Sequence, residues 1–190
     1  MVIWFTGLPG SGKSTIAGLV AGEAKKLDNS VVLLSMDNIR RMIFPNPKYS
    51  DEERDAAYRA LVLAACLLSK TGTNVLIDAT GHKLAWRNLA RRVCGRFVEV
   101  YVKCPIETCI ERETLRKNNS LVRKKLYLNA LRRLNTSRKT HGLGKVPGVD
   151  EPFEVNRKAE IVLDSSIERP KSIAEVAVKR LAKYAPELFS

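Results

Sequence analysis

Five short apolar segments, rich in β-branched residues, recur along the chain and are separated by stretches of helical character. They cover residues 2–5, 31–34, 74–77, 97–102 and 160–163. Segments of this length and composition are typical of β-strands. Strands that alternate with helices form parallel β-α-β units, so the pattern predicts an α/β fold with a parallel sheet.

Two of the intervening helices carry recognisable end signals. Ser50 is predicted to cap a helix, and Glu53, three residues later, completes a capping box. Gly72 ends this helix, whose long apolar run predicts that it packs on the sheet. A second helix, near residues 83–94, is followed by Gly95 in the position after the helix that favours glycine.

Length and composition indicate one folded domain over residues 1–190. Hydrophobic residues make up 45% of the chain and charged residues 28%, a globular balance that excludes disorder as the main state. Thirty-three Lys and Arg against twenty Asp and Glu give a net charge of +13. A surplus of this size indicates an anionic partner, such as phosphate, a nucleotide or a nucleic acid.

Most of the positive charge lies in one segment. Residues 112–145 contain eleven basic residues and a single acidic one, so this segment carries +10 of the net +13. Leu121, Leu128, Leu131 and Leu134 recur there at roughly helical spacing. The segment is therefore predicted to be a basic helical flap rather than a disordered tail, inserted into the domain at about residues 112–147.

The cysteines and the first residues of the chain indicate a protein of the reducing cytoplasm. No pair among Cys66, Cys94, Cys104 and Cys109 has the C-x-x-C spacing, and each lies in or beside an apolar segment, which predicts buried free thiols rather than disulfides or a zinc site. No apolar run reaches membrane-spanning length, and the first residues lack the features of a signal peptide.

The clearest motif follows the first predicted strand directly and opens a helix. Residues 7–14 read G-L-P-G-S-G-K-S, which fits G-x-x-x-x-G-K-S in its required context. The glycines allow backbone N–H groups to turn toward phosphate oxygens, Lys13 can reach the β- and γ-phosphates, and the Ser14 hydroxyl can ligate Mg²⁺. The residues predicted to bind the nucleotide are Gly7, Pro9, Gly10, Ser11, Gly12, Lys13, Ser14 and Thr15.

Two classes of nucleotide-binding protein are disfavoured by motifs that the chain lacks. A GTPase carries N-K-x-D, whereas the nearest string here, at residues 156–159, reads N-R-K-A. A motor ATPase has an apolar strand that ends in Asp-Glu, but Asp78 is followed by Ala79. A short chain with five strands and a basic flap favours a small kinase that binds ATP and Mg²⁺, in which the flap is a lid that excludes water.

Polar residues that follow the second and third predicted strands are candidates for the acceptor side, because open α/β sheets bind ligands at this edge. Asp37 can take a proton from an acceptor hydroxyl or hold Mg²⁺, and Arg40 can bind an acceptor anion. The alternative is that Asp37 caps a helix starting at Asn38. Asp78 can orient the acceptor or lie near Mg²⁺, or be an ordinary turn carboxylate. His82 is either a turn residue or part of the site.

Several arginines are candidates for contacts with phosphate. Arg87, on the helix after the third strand, could reach acceptor phosphate. Arg112 and Arg116 are four residues apart in the flap, which is the spacing of lid arginines that neutralise a transferring phosphoryl group. The remaining basic residues of the flap form a solvated face, and contact with a nucleic acid is the less favoured alternative.

Five motifs of the chain resemble those of the adenylylsulfate kinases, which phosphorylate the 3′-hydroxyl of adenylylsulfate with ATP. The phosphate loop matches at residues 7–15. Residues 35–40 are similar to D-G-D-N-V-R, and residues 49–54 to F-S-x-E-D-R. Residues 99–109 are similar to E-V-x-V-x-x-P-L-E-x-C, and residues 148–154 to G-I-D-D-P-Y-E. The resemblance implies a three-layer kinase sandwich whose five-stranded parallel sheet has the order 2-3-1-4-5.

The motifs and their positions assign roles to individual residues. Lys13, Asp37, Arg112 and Arg116 are expected to be catalytic, and Ser14 and Asp37 are expected to hold the metal. A nucleotide-type small molecule is then the acceptor and a homodimer a further expectation, whereas nucleic acid and membrane partners are not expected. The residues assigned to acceptor binding are Asp37, Arg40, Tyr49, Arg54, Asp78, Thr80, Arg87, Val146 and Gly148.

The part of the predicted site that binds the acceptor departs from the family pattern at several positions. Ser35 replaces the first Asp of D-G-D, Ala57 replaces an Asn, and Val146 stands where the family has an aromatic residue that stacks on the substrate's adenine. A kinase with another acceptor, either a small alcohol or a seryl-tRNA, is therefore the alternative. A nucleotide- or RNA-binding module without catalysis is a more remote one.

Overall fold

A computed structural model describes residues 1–27, 30–115, 126–136 and 144–189 of the chain, without the side chains of residues 133–136. The strands are β1 (Val2–Thr6), β2 (Val31–Ser35), β3 (Asn74–Asp78), β4 (Phe97–Lys103) and β5 (Ile161–Asp164). The helices are α1 (Lys13–Lys26), α2 (Met36–Ile43), α3 (Asp51–Lys70), α4 (Leu84–Val93), α5 (Ile106–Leu115), α6 (Leu126–Thr136), α7 (Pro170–Leu181) and α8 (Pro186–Phe189).

All five strands form one parallel sheet in the order β2-β3-β1-β4-β5, which confirms the predicted fold class and strand order. The register aligns Ser35 with Asp78 and Asp78 with Phe5. On the other side of β1, Thr6 aligns with Tyr101. The carboxyl ends of the strands therefore lie at one edge of the sheet, where the predicted site residues also lie.

Helices cover both faces of the sheet, because successive residues of each strand point to opposite sides. Ile3 and Phe5 pack on one face with α1, α7 and α8, in an apolar cluster that is fully buried at its centre. Val2 and Trp4 pack on the other face with α3 and α4. Three layers result.

Helix ends follow the signals in the sequence, with one exception that concerns the site. The N–H of Glu53 donates to Ser50 Oγ at 3.2 Å, and the Glu53 carboxylate accepts from the N–H groups of Lys48 and Tyr49, so the capping box at α3 is confirmed. The alternative that Asp37 caps a helix is wrong, because α2 begins at Met36, with Ser35 as its N-cap.

The four cysteines are buried and free, as the sequence predicts. Cys104 and Cys109 belong to a third apolar cluster that also contains Tyr127, Ala130 and Val146 and joins α5 and α6 to the chain that precedes β5. Burial and the neighbouring thiol raise the pKa of Cys109 to about 12, so this thiol is neutral at physiological pH.

The bounds of the domain and of the flap stay predictions. The helices α5 and α6 lie largely within the predicted flap, whereas residues 116–125 and 137–143 lie outside the described residues. Among the helices that the structure describes, none combines the length and apolar character needed to cross a bilayer.

Candidate active site

The predicted phosphate loop connects β1 to the start of α1, and its backbone geometry requires glycine. Gly10 and Gly12 have φ angles of 85° and 89°, in the left-handed region that side chains disfavour. A Cβ atom on Gly10 would also lie 2.5 Å from the carbonyl oxygen of Cys109. The loop is therefore built around backbone groups, and it ends at the positive N-terminus of a 14-residue helix.

Two side chains from distant parts of the chain hold this loop in place. Tyr127 of α6 donates its hydroxyl hydrogen to the carbonyl oxygen of Pro9 at 2.7 Å. Ser165, directly after β5, donates to the carbonyl oxygen of Ser11 at 2.7 Å and is 2% exposed. Sequence reasoning missed both residues. Tyr127 carries no signal, whereas Ser165 could have been found from its place at the carboxyl edge of the sheet.

The polar residues of the loop lie at the first turn of α1. Lys13 is the first residue of this helix and is 7% exposed, so its side chain is buried rather than extended into open solvent. Ser14 is half-buried and Thr15 is exposed. This arrangement brings a cation, a hydroxyl group and a helix N-terminus together, which suits a polyphosphate ligand.

Oxygen ligands suitable for Mg²⁺ lie at the neighbouring strand ends. Asp37 is in the first turn of α2, directly after β2, and Asp78 ends β3. Oδ1 of Asp78 is buried and has no hydrogen-bond partner among the described residues, as a carboxylate facing a cation or its water would. No group of three or more His, Cys, Asp or Glu in the described part of the chain could hold a metal.

The structure brings three of the predicted acceptor residues together beside α3. The guanidinium carbon of Arg40 lies 5.6 Å from the ring centroid of Tyr49. Tyr49 has a φ angle of 56°, which is rare for a residue with a side chain and is typical of functional sites. Gly144 packs against Tyr49, since a Cβ atom on Gly144 would lie 2.7 Å from its Cβ and 3.1 Å from Nη2 of Arg54.

Arg54 and His82 are the buried ionisable groups of this region. Arg54 is 7% exposed and donates from Nη2 to the carbonyl oxygen of Lys145 at 2.8 Å. His82 is 1% exposed, and its ring meets Trp86 edge-on. Burial, and then the positive charges of Arg54 and Lys83, lower the pKa of His82 to about 3, so its imidazole is neutral at physiological pH.

The prediction that Arg87 reaches acceptor phosphate is wrong for this structure. Arg87 is 0% exposed and donates from Nη1 to the Glu99 carboxylate and from Nη2 to the carbonyl oxygen of Glu154. Its guanidinium also lies 5.4 Å from the ring centroid of Phe153. Nη1 is therefore part of a buried ion pair and Nη2 of a hydrogen bond to the backbone, and together they join α4, β4 and the chain before β5. None of the side chain reaches solvent.

Three further predicted acceptor residues lie near the carboxyl edge of the sheet and differ in how far solvent reaches them. They are Val146, Gly148 and Thr80. Val146 is 1% exposed and packs within the third apolar cluster, so its side chain contributes to the protein interior rather than to an open surface. Gly148 packs against Leu8 of the phosphate loop, and a Cβ atom there would lie 2.9 Å from Leu8 Cδ2. The carbonyl oxygen of Thr80 accepts from the Thr6 hydroxyl at 2.6 Å, which ties the β3 end to the β1 end.

A cleft of about 610 Å³ opens between the phosphate loop and the chain before β5. Its walls combine an aromatic pair with aliphatic and acidic residues. Tyr101 and Phe153 stack there with ring centroids 5.6 Å apart. Sequence reasoning missed both aromatic residues as site candidates. The cleft is lined by Leu8, Tyr101, Ile106, Gly148, Val149, Asp150, Glu151, Pro152, Phe153 and Val155.

Arg112 lies beside the phosphate loop. It donates from Nη2 to the carbonyl oxygen of Ser165 at 2.6 Å, and Ser165 in turn bonds to Ser11 of the loop. This links the end of α5 to the nucleotide side of the site. Arg116, its predicted partner, lies outside the described residues.

Comparison with known proteins gives one family. The family model described as adenylylsulphate kinase matches residues 1–164. A protein of Archaeoglobus fulgidus named as a probable adenylyl-sulfate kinase is 34% identical over 164 residues, covering 86% of this chain and 95% of that relative. A protein of Pyrococcus abyssi with the same name is 32% identical over 178 residues, covering 94% and 92%.

A solved structure agrees with these relatives. The Mycobacterium tuberculosis APS kinase in complex with AMPPNP and APS superimposes with a TM-score of 0.76 at 28% identity, covering 95% of this chain and 96% of that one.

Proposed function

Because the chain belongs to the adenylylsulphate kinase family, we propose that it transfers the γ-phosphate of ATP to the 3′-hydroxyl of adenylylsulfate. The observation that carries this proposal is that one edge of the sheet holds both the phosphate loop and the carboxylate and guanidinium groups beside it. The solved Mycobacterium tuberculosis APS kinase in complex with AMPPNP and APS supports the same pair of ligands.

The nucleotide side is supplied by the phosphate loop. Backbone N–H groups of residues 7–14 and the N-terminus of α1 bind the phosphates of ATP, and Lys13 neutralises charge on the β- and γ-phosphates. Arg112 contacts Cys104 and the carbonyl of Ser165 beside the loop, and in this proposal its positive charge stabilises the charge that develops during transfer. Tyr127 and Ser165 fix the loop carbonyls, so the cradle is organised before ATP binds.

Ser14 and Asp37 would hold Mg²⁺, with the unpartnered Oδ1 of Asp78 facing the ion or one of its water ligands. When bound, the ion supplies charge neutralisation of the phosphates and orients the γ-phosphate for in-line attack.

The acceptor side uses Asp37 and two arginines. Asp37 accepts the proton of the 3′-hydroxyl while the hydroxyl oxygen bonds to the γ-phosphorus, and the bond from this phosphorus to the β–γ bridging oxygen breaks to release ADP. Arg40 and Arg54 bind the anionic phosphosulfate group, and the Tyr49 ring packs against the acceptor.

A kinase that phosphorylates a different alcohol is the second candidate, because the acceptor pocket has lost family groups. Ala57 is 0% exposed and lies in the apolar cluster between the sheet and helices α3 and α4. Val146 is buried in the third cluster and offers no aromatic face. If adenylylsulfate is the acceptor, its adenine is therefore held with less stacking, and we expect a KM raised roughly tenfold over a relative with the aromatic residue.

The test is ADP release with saturating ATP and Mg²⁺, with and without adenylylsulfate. We expect release to depend on millimolar or lower adenylylsulfate and the product to be 3′-phosphoadenylylsulfate. Stimulation by serine, inositol or another alcohol, with none by adenylylsulfate, would replace the acceptor but keep the phosphotransfer chemistry. A homodimer stays a prediction, which the molecular mass in solution would test in the same preparation.

A further inference from the structure

Two buried polar atoms beside α3 lack hydrogen-bond partners among the described residues. They are Nη1 of Arg54 and Nε2 of His82. Both residues are more than nine-tenths buried, with exposures of 7% and 1%. Buried polar atoms in native proteins are nearly always bonded, so these two exceptions indicate that each atom faces a ligand or a water.

A chain of contacts through three separate segments links the two residues. Nη2 of Arg54 donates to the carbonyl oxygen of Lys145 at 2.8 Å. The Lys145 ammonium lies 3.5 Å from Oε2 of Glu151, and Oε1 of Glu151 lies 3.6 Å from Nε2 of His82. The chain of contacts therefore runs from α3 through residues 145–151 to the turn after β3.

Helix α3 also holds the turn that carries His82. Tyr58 lies one helical turn after Arg54, and its hydroxyl oxygen accepts from the N–H of Gly81 at 2.8 Å. The charge of Arg54 acts on His82, since it is among the causes that lower the pKa of the imidazole. These two observations place His82 and Arg54 in the same region of the acceptor edge.

The protonation of His82 follows from its surroundings. A neutral imidazole carries a proton on one of its two nitrogens. The Glu151 carboxylate, 3.6 Å from Nε2, repels a lone pair on this nitrogen and favours the tautomer with the proton there. Because 3.6 Å is too long for a hydrogen bond, this N–H remains available to a ligand.

We propose that His82 binds the acceptor by donating its Nε2–H to an anionic oxygen that Nη1 of Arg54 holds at the same time. The ligand class is a sulfate or phosphate ester, and, resting on the proposed function, the group is the phosphosulfate of adenylylsulfate. The charged side chains around the two atoms are predominantly positive, which favours an anion: Arg54, Lys83 and Lys145 against Asp51 and Glu151.

The test compares His82→Leu with His82→Gln, in which the amide nitrogen can replace Nε2 as donor. ADP release is measured at saturating ATP with varied adenylylsulfate. The loss of a hydrogen bond to a charged group should raise the KM for adenylylsulfate roughly ten- to hundredfold in His82→Leu, with the KM for ATP unchanged. His82→Gln should recover most of this loss. Cys94→Ala, another buried change in the same layer, controls for general destabilisation and should leave both KM values unchanged.

A KM for adenylylsulfate within about twofold of wild type in His82→Leu, an equal rise in both KM values, or no recovery in His82→Gln would overturn the proposal. If His82→Leu does not fold, His82→Asn serves in its place, because its shorter amide does not reach the position of Nε2 and should raise the same KM. If adenylylsulfate does not stimulate ADP release by the wild-type protein, the proposed function is wrong. In that case, inhibition of the wild type but not of His82→Asn by free sulfate or phosphate would still support the anion site.

Discussion

Replacing Arg87 by Met tests whether this arginine stabilises the fold or binds the acceptor. Met keeps much of the length of the side chain and can still pack on the Phe153 ring. It removes the charge, the contact of the guanidinium with that ring and both hydrogen bonds. The Glu99 carboxylate, 1% exposed, is then left with Nδ2 of Asn156 at 2.7 Å and the more distant Arg91 at 3.8 Å.

The expected cost follows from this burial. Removing one partner of a buried ion pair destabilises a protein by about 3–5 kcal/mol, because the other charge stays buried without compensation. Asn156 and Arg91 still face Glu99, so we expect the lower end, about 3 kcal/mol. For a chain of this size, 1 kcal/mol shifts the melting temperature by about 2–4 °C, so Arg87→Met should melt roughly 6–12 °C lower.

The measurement is thermal unfolding by circular dichroism, together with the KM for adenylylsulfate at a temperature well below both transitions. The control is Arg59→Met, since Arg59 is 65% exposed and pairs with Asp55 one turn earlier on α3. A surface pair of this kind contributes at most about 0.5 kcal/mol. The double variant Arg87→Met with Glu99→Leu should recover part of the lost stability, because it removes the uncompensated carboxylate.

One result would refute the structural interpretation of Arg87. If Arg87→Met melts within about 2 °C of wild type while its KM for adenylylsulfate rises about tenfold, Arg87 reaches the acceptor and the structural interpretation is wrong.

Four further predictions concern the site. Lys13→Ala should fold but lose at least about a hundredfold in phosphotransfer rate, measured as ADP release, and near-normal turnover would contradict the kinase assignment. Asp37→Asn should lower kcat by about 10² to 10⁴ with ATP affinity little changed, and an unchanged kcat would remove Asp37 as the base. Tyr127→Phe should raise the KM for ATP about fivefold, because it removes the hydrogen bond to the Pro9 carbonyl. The control is Tyr184→Phe, which should leave this KM unchanged, because the exposed Tyr184 hydroxyl bonds to the Glu160 carbonyl at 3.3 Å and not to the phosphate loop. The pKa of His82 is lowered from 6.5 to about 3 in the folded protein, so the unfolded chain binds a proton more readily between these pH values. The contribution of His82 to the free energy of unfolding is therefore complete above about pH 6.5 and is lost as the pH falls toward 3. In this window, the free energy of unfolding of His82→Gln, measured in urea, should depend less steeply on pH than that of wild type.

The parts of this protein that the sequence determined are those coded by neighbouring residues. The strands, the capping box at Ser50 and the phosphate loop each depend on a few consecutive positions, and all three occur in the structure where they were expected. The parallel alternation of strands and helices then brings the carboxyl ends of β1, β2 and β3 to one edge. Asp37 and Asp78 could therefore be assigned to this edge without coordinates.

The tertiary structure alone decided which polar residues face the site. Arg87 is helical and near the edge, yet it turns inward because Glu99 and the chain before β5 provide a buried partner for its charge. Tyr127 and Ser165 support the phosphate loop from 118 and 154 residues away. Contacts of this range depend on how whole layers pack, and burial then sets the charge of His82 and the inaccessibility of Val146, neither of which a local pattern encodes.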